Sequence, residues 1–219
     1  MNYKGVIFDF NGTLFWDTPY HDQAWDRFLE THNIELTQDE KSQKILGRTN
    51  QDILQGIFTR EISETEIESM TNEKESIYQE ICLNSNMELA TGAVDLLRFL
   101  SVENIPFTIA SGSGKENIDF YFDHLALGKW FKYDKVVYND GSFRGKPFPD
   151  IYMLAAARLE LNISEIIVFE DSSIGIQAAE NAGSGKIIIV NSNSADYTKW
   201  PYEKIGSFDE VDRKLFSRN

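Results

Sequence analysis

Residues 5–14 read GVIFDFNGTL. The run is apolar from Gly5 to Phe8 without alternating, meets Asp9, and reaches Gly12 three residues later. A strand with one wet face alternates apolar and polar residues, whereas a strand buried on both faces of a parallel sheet does not. Gly12 and Thr13 suit a tight turn whose backbone amides can approach an anion, because glycine reaches conformations closed to other residues. The stretch therefore reads as a buried strand with a carboxylate at its tip.

The same pattern recurs in PFTIAS (106–111), KVVYND (135–140), EIIVFED (165–171) and KIIIVN (186–191). Helical patterns lie between them: AVDLLRFLSVEN (93–104), ENIDFYFDHLAL (116–127), DIYMLAAARLEL (150–161) and SSIGIQAAENAG (172–183). Strand and helix alternate from residue 89 onward, which predicts an α/β fold, a Rossmann-like parallel sheet with helices on its faces. Residues 16–88 differ, with helical stretches such as HDQAWDRFLETHN and SETEIESMTNEKESIYQEICLN and no clear strand. The expected organisation is an α/β domain of residues 1–15 and 89–219 with an inserted α-helical domain of residues 16–88. An insert at that point is expected over the carboxyl edge of the first strand, where open α/β sheets bind ligands. The tail SFDEVDRKLFSRN reads as a last helix closing the core.

Composition narrows the function. The chain has 219 residues, 42% hydrophobic and 26% charged, as in ordinary globular proteins. No run approaches the roughly 18 apolar residues of a membrane span. The opening MNYKGVIFDF lacks the basic start and small-residue cleavage site of a signal peptide, and a lone cysteine, Cys82, makes no internal disulfide, so a cytoplasmic location is expected. Cys82 sits inside a helical pattern and reads as a packing residue. With 21 Lys and Arg against 35 Asp and Glu, the net charge of −14 repels nucleic acid and anionic membranes. A small phosphorylated ligand remains compatible, because local cations can reverse the sign inside a cleft.

Parallel strands run the same way, so Asp9, Ser111, Glu170 and Asp171, with Lys146 in the loop GKPFPD, fall on one edge of the sheet. Three carboxylates there repel one another unless a cation lies between them. Hard oxygen ligands without a His or Cys cluster favour Mg²⁺. A hydroxyl and an ammonium supply donors to phosphoryl oxygens. A carboxylate beside a cation and facing a phosphoryl group is a candidate nucleophile that forms an aspartyl phosphate.

DFNGTL (9–14), IASGSG (109–114), GKPFPDIY (145–152) and VFEDSSIGIQAAENAG (168–183), in this order, resemble the haloacid dehalogenase superfamily, within its β-phosphoglucomutase-like and small phosphatase group. The resemblance implies Asp9 as nucleophile and Mg²⁺ ligand, with the main-chain carbonyl of Asn11 in the metal shell. It implies Asp171 on the same metal, with Glu170 beside it. Ser111 and Lys146 would bind the transferring phosphoryl group, with Gly12, Thr13 and Gly112 lining its place. The helical insert would be the small cap of this group, commonly found on monomers. In the cap, His21, Arg48, Asn50 and Lys74 lie where such proteins commonly meet substrate, although each reads equally well as a surface residue. An Arg that grips a second phosphate in the sugar phosphomutase pattern falls where Asn50 stands, with Arg48 two residues away. Trp16, Trp25, Phe28 and Leu29 read as cap packing.

The family's phosphatases and phosphomutases carry a second Asp where this chain has Asn11. That Asp moves a proton to the leaving oxygen and from the attacking water or hydroxyl, a contribution of about 10²- to 10⁴-fold. An amide cannot perform either transfer. Asn11 thus points to a phosphohydrolase that is slow or restricted to activated leaving groups. The alternatives are a sugar phosphate mutase, a phospho-ligand-binding protein with little turnover, an Asp-to-Asn replacement that traps a complex, and a latent carboxylate released by deamidation at Asn11–Gly12.

Overall fold

The computed structural model describes residues 3–45, 49–58, 60–193 and 195–216. Among them β1 (Gly5–Phe8), β2 (Phe107–Ser111), β3 (Val137–Tyr138), β4 (Ile166–Glu170), β5 (Lys186–Val190) and β6 (Glu203–Ile205) form one sheet in the order β3-β2-β1-β4-β5-β6. Every neighbouring pair is parallel, with Val6 opposite Phe107 on one side of β1 and Ile167 on the other. The helices are α1 (Thr18–Thr31), α2 (Gln38–Lys44), α3 (Asn50–Ile57), α4 (Glu64–Leu83), α5 (Ala93–Val102), α6 (Lys115–His124), α7 (Asp150–Arg158) and α8 (Ser173–Ala182).

This strand order decides where chemistry can happen. The chain builds outward from β1 through β2 to β3, then crosses back to place β4 on the other side of β1. The reversal falls beside β1, and the carboxyl ends of strands at such a reversal are the usual ligand position of these sheets. Because side chains alternate along a strand, Ile7 and Val168 face a core shared with Ile151, Ala155, Ile176 and Ala179 of α7 and α8. Phe8 and Phe169 point to the opposite face, stacked at 5.2 Å with ring planes nearly parallel at 13°, and Phe208 packs against both. Burial on both sides explains why these runs carry no polar residue until their tips.

Two expectations are corrected, and one strand is added. The strand read in KVVYND shrinks to Val137 and Tyr138, because β3 is an edge with one partner and a 3₁₀ turn occupies Tyr133–Lys135. β6 has the sequence EKI with only Ile205 buried, so no apolar run announced it. The tail is not a helix but two 3₁₀ turns, Phe208–Glu210 and Arg213–Leu215. The Ser207 and Asp212 side chains accept the Asp209 and Lys214 amides, local bonds that compete with a continuous helix.

By its internal contacts the chain divides into residues 1–16 with 88–219, and residues 17–87. The second unit is helical. Trp25, Phe28 and Leu29 of α1 pack with Ile53, Leu54 and Ile57 of α3, and Ile67, Met70 and Ile77 of α4 lie against them. The start of α4 is fixed by a reciprocal cap between Ser63 and Glu66. Among the described residues no helix is long and apolar enough to cross a membrane.

Cys82 is fully buried in α4, and burial pushes its thiol up to about 12. The thiolate is the reactive form, so iodoacetamide at about pH 8 is expected to leave native protein unlabelled and to label one site after denaturation. Rapid labelling of the native protein would contradict this burial.

Candidate active site

Asp9 follows β1 directly, and its amide donates to the Phe169 carbonyl at 3.0 Å, which holds it beside the tip of β4. Lys146 reaches the same place from the loop before α7. Its ammonium lies 2.6 Å from Asp9 Oδ1 and 2.5 Å from Glu170 Oε1, with the lysine side chain 9% exposed. Glu170 is fully buried and has a donor for each direction: Lys146 and the Tyr152 hydroxyl on Oε1, and the Ser172 amide and hydroxyl on Oε2. Asp171 accepts from Thr13 Oγ1 at 3.2 Å. One carboxylate oxygen from each of Asp9, Glu170 and Asp171 lies within 4.8 Å of the others.

Two glycines make this packing possible. Gly12 has φ +75°, and a Cβ there would overlap the Asp171 carboxylate. Gly175, in the first turn of α8, lies against Glu170, and a Cβ there would overlap its carboxylate. The amide of Gly175 donates to Ser172 Oγ, so the residue also anchors the helix cap.

The electrostatics follow from burial. Removal from water pushes the Asp9 carboxyl up to about 7; Lys146 opposes this rise and Glu170 adds to it. Burial also pulls on the Lys146 ammonium, but Asp9 and Glu170 together outweigh it and hold the lysine well above its ordinary value. Three carboxylates and one ammonium leave the cluster short of positive charge. An all-oxygen donor set in this state fits a hard divalent cation.

Asn11 lies in the turn after Asp9. Its Nδ2 donates to the Tyr121 hydroxyl at 2.8 Å, and its Oδ1 accepts from Ser113 Oγ at 2.8 Å and Ser111 Oγ at 3.3 Å. Ser111 is buried at the tip of β2, and Gly112 beside it is exposed with open space around it. The fold thus gathers Asp9, Asn11, Gly12, Thr13, Ser111, Lys146, Glu170 and Asp171 within the α/β unit. It adds Ser113, Tyr121 and Tyr152, which sequence reasoning missed. Tyr121 and Tyr152 sit in helical patterns, where an aromatic residue signals core.

In the helical unit, the His21 ring stacks on Tyr78 at 3.9 Å, with Nδ1 2.8 Å from Lys74 Nζ. Lys74 is 1% exposed and lies 3.0 Å from Glu75, so it is no surface residue. Asn50 donates to the same Glu75 oxygen at 2.6 Å. Arg48 lies outside the described residues.

Deamidation needs the following backbone nitrogen to attack the asparagine side-chain carbon. Here the Gly12 amide donates to Phe15 O at 2.7 Å and the Asn11 side chain is tied at both ends, which opposes the attack. Intact mass is expected to stay unchanged on ageing of native protein at neutral pH, and to gain one dalton when ageing occurs in denaturant. For Gly175→Ala, the overlap with Glu170 predicts a loss of about 1–3 kcal/mol in urea unfolding. An unchanged midpoint would mean that Glu170 has room to move.

The family of haloacid dehalogenase-like hydrolases matches residues 3–183. A crystal structure of a family IA, variant 3 hydrolase of this kind from Entamoeba histolytica has a TM-score of 0.91 at 35% identity, covering 98% of this chain and 97% of that one. Fructose-1-phosphate phosphatase of Escherichia coli is 30% identical over 83% of this chain and 93% of its own length. β-Phosphoglucomutase of Bacillus subtilis is also 30% identical, over 82% and 80% respectively. These likenesses run through both the sheet that carries the acidic edge and the helical insert, and the chain belongs to the haloacid dehalogenase-like hydrolases, as an enzyme among their phosphatases and phosphomutases.

Proposed function

We propose that this enzyme is a Mg²⁺-dependent phosphohydrolase that cleaves small phosphorylated metabolites through an aspartyl phosphate on Asp9. The observation that carries the reading is the buried Asp9 carboxylate held 2.6 Å from Lys146 within a three-carboxylate cluster. Asp9, Asp171 and the main-chain carbonyl of Asn11 would hold the metal. Glu170 would stand beside it and orient Lys146, since both its oxygens already accept protein donors. When bound, Mg²⁺ would supply charge neutralisation for the phosphoryl oxygens.

Lys146 keeps its proton and binds a phosphoryl oxygen as a fixed charge, while exposed backbone at Gly112 offers a further contact. An Asp9 carboxylate oxygen attacks phosphorus, a new O–P bond forms, and the bond from phosphorus to the leaving oxygen breaks. The leaving group departs with the electron pair of that bond. Water then attacks the same phosphorus, releasing orthophosphate and the Asp9 carboxylate, and its proton passes to phosphate or solvent. No carboxyl at position 11 protonates the leaving oxygen. Groups stable as anions, such as carboxylates and phosphates, therefore leave readily, and alkoxides do not.

Residues 17–87 would be the family's cap, with His21 as a polar group for substrate and the buried Lys74 holding the His21 ring from behind. The Asn50 amide already donates to Glu75, and an acidic side chain at that corner disfavours a second phosphate. This favours hydrolysis of monophosphates over a mutase reaction that must hold a bisphosphate. A second reading, a phospho-ligand-binding protein with little turnover, is favoured by Asn11 itself.

A leaving-group series separates these readings. With Mg²⁺, kcat/KM is expected to fall steeply from acetyl phosphate through nitrophenyl phosphate to a sugar phosphate, and to vanish throughout in Asp9→Asn. A flat series would mean that another group supplies the proton. Binding of orthophosphate without turnover of any member would leave only the binding reading.

A further inference from the structure

Asn11 is held from three sides, and its partners all come from β2, α6 and the loop that joins them. The Tyr121 hydroxyl takes one end of the amide at 2.8 Å, and Ser113 and Ser111 take the other at 2.8 and 3.3 Å. Ser111 is itself fixed, since its oxygen accepts the Ser113 amide at 3.1 Å. Tyr121 is fully buried, so it cannot swing away. Its ring stacks on Phe10 at 4.5 Å and meets Phe15 edge-on at 6.1 Å. Those two phenylalanines belong to the turn that carries Asn11, and Phe15 N donates to Phe10 O at 3.0 Å. One tyrosine thus holds the turn with its ring and the side chain at position 11 with its hydroxyl.

We propose that Tyr121 is a positioning residue that, with Ser111 and Ser113, clamps the side chain at position 11 between two loops, so that this position carries no proton to the leaving group whether an amide or a carboxylate stands there. The inference rests on the Asp9-centred phosphoryl transfer proposed above. A general acid must place its donor within about 2.6–3.2 Å of the leaving oxygen. A group already engaged at both ends has to break bonds to do so, at a cost of up to about tenfold in rate for each. A carboxylate would not loosen the clamp. All three hydroxyls can donate to it, and bonds to a charged acceptor are stronger than bonds to an amide.

The clamp has a signature that simple damage to the site does not share. In Asn11→Asp, sugar phosphate turnover is expected to rise by less than about tenfold, well short of the 10²- to 10⁴-fold of a working acid–base group. Adding Tyr121→Phe, which keeps the ring and removes only the hydroxyl, is expected to raise sugar phosphate turnover about tenfold further. Acetyl phosphate turnover, which needs no leaving-group proton, stays within about twofold of Asn11→Asp alone. In the native background, where no proton is there to release, Tyr121→Phe brings no gain on either substrate. Ser113→Ala in the Asn11→Asp background repeats the test from the other end of the side chain and carries it if Tyr121→Phe does not fold. A gain of a hundredfold or more from Asn11→Asp alone overturns the clamp. So does a double variant no better than the single one, or one that shifts both substrates alike. Turnover that survives Asp9→Asn in these backgrounds overturns the phosphoryl-transfer reading and the clamp with it.

Discussion

The Lys146 ammonium, set between Asp9 and Glu170, is the interaction on which the rest of the site depends. Asp9 and Lys146 are 137 residues apart in the chain, and both have left water. Burying an ion costs several kcal/mol unless partners replace its hydration, and a buried pair is seldom retained for stability alone. The surroundings of Glu170 show how closely that requirement is met. Tyr152 and Ser172 complete its hydrogen bonds, and Gly175 withholds a Cβ so that helix and carboxylate can meet. Even so, one ammonium faces three carboxylates, and burial, opposed by Lys146 and aided by Glu170, keeps the Asp9 carboxyl far above the ordinary carboxylate range. Such a cluster could hold a cation.

Position 11 shows the same economy in a neutral setting. An amide is a poor substitute for a carboxyl in proton transfer but a good one in hydrogen bonding, since it offers both donors and an acceptor. Asn11 uses both, toward Tyr121 and toward two serines. The amide at position 11 leaves the turn after Asp9 with its side-chain hydrogen bonds satisfied. In the proposed reaction phosphoryl binding and proton transfer are therefore separable, and the aromatic packing of Phe10, Phe15 and Tyr121 holds the turn that carries position 11.

The helical unit buries a cation of its own. Lys74 is tied to His21 and Glu75 and lies over the rings of Trp25 and Tyr78 at 5.4 Å. The Tyr78 hydroxyl meets Asp17 Oδ2 at 2.5 Å, and His21 Nε2 lies 3.4 Å from the same oxygen. Hydrogen bonds and ring faces replace water around this charge, which is how a lysine can occupy a core.

The sequence by itself determined the parallel sheet and most of the acidic edge. Strands buried on both faces stay almost wholly apolar until they end, Thr108 being accommodated by a hydrogen bond to the Lys135 carbonyl, so GVIF, FTIAS and IIVFE announce both their depth and their tips. The carboxylates of Asp9, Glu170 and Asp171 stand where the apolar runs stop. Other features lay beyond such a signal. Nothing apolar marks β6, whose residues are mostly exposed. The tail's helical appearance lost to local bonds from Ser207 and Asp212. Lys146 reads alone as a solvated charge, and Tyr121 and Tyr152 read as core aromatics. Only the tertiary structure decided that one tyrosine hydroxyl completes Glu170 and the other takes the amide of Asn11, 110 residues away. Periodicity records which side chains leave water, but the partner that a buried polar atom finds is set by the path of the chain between them.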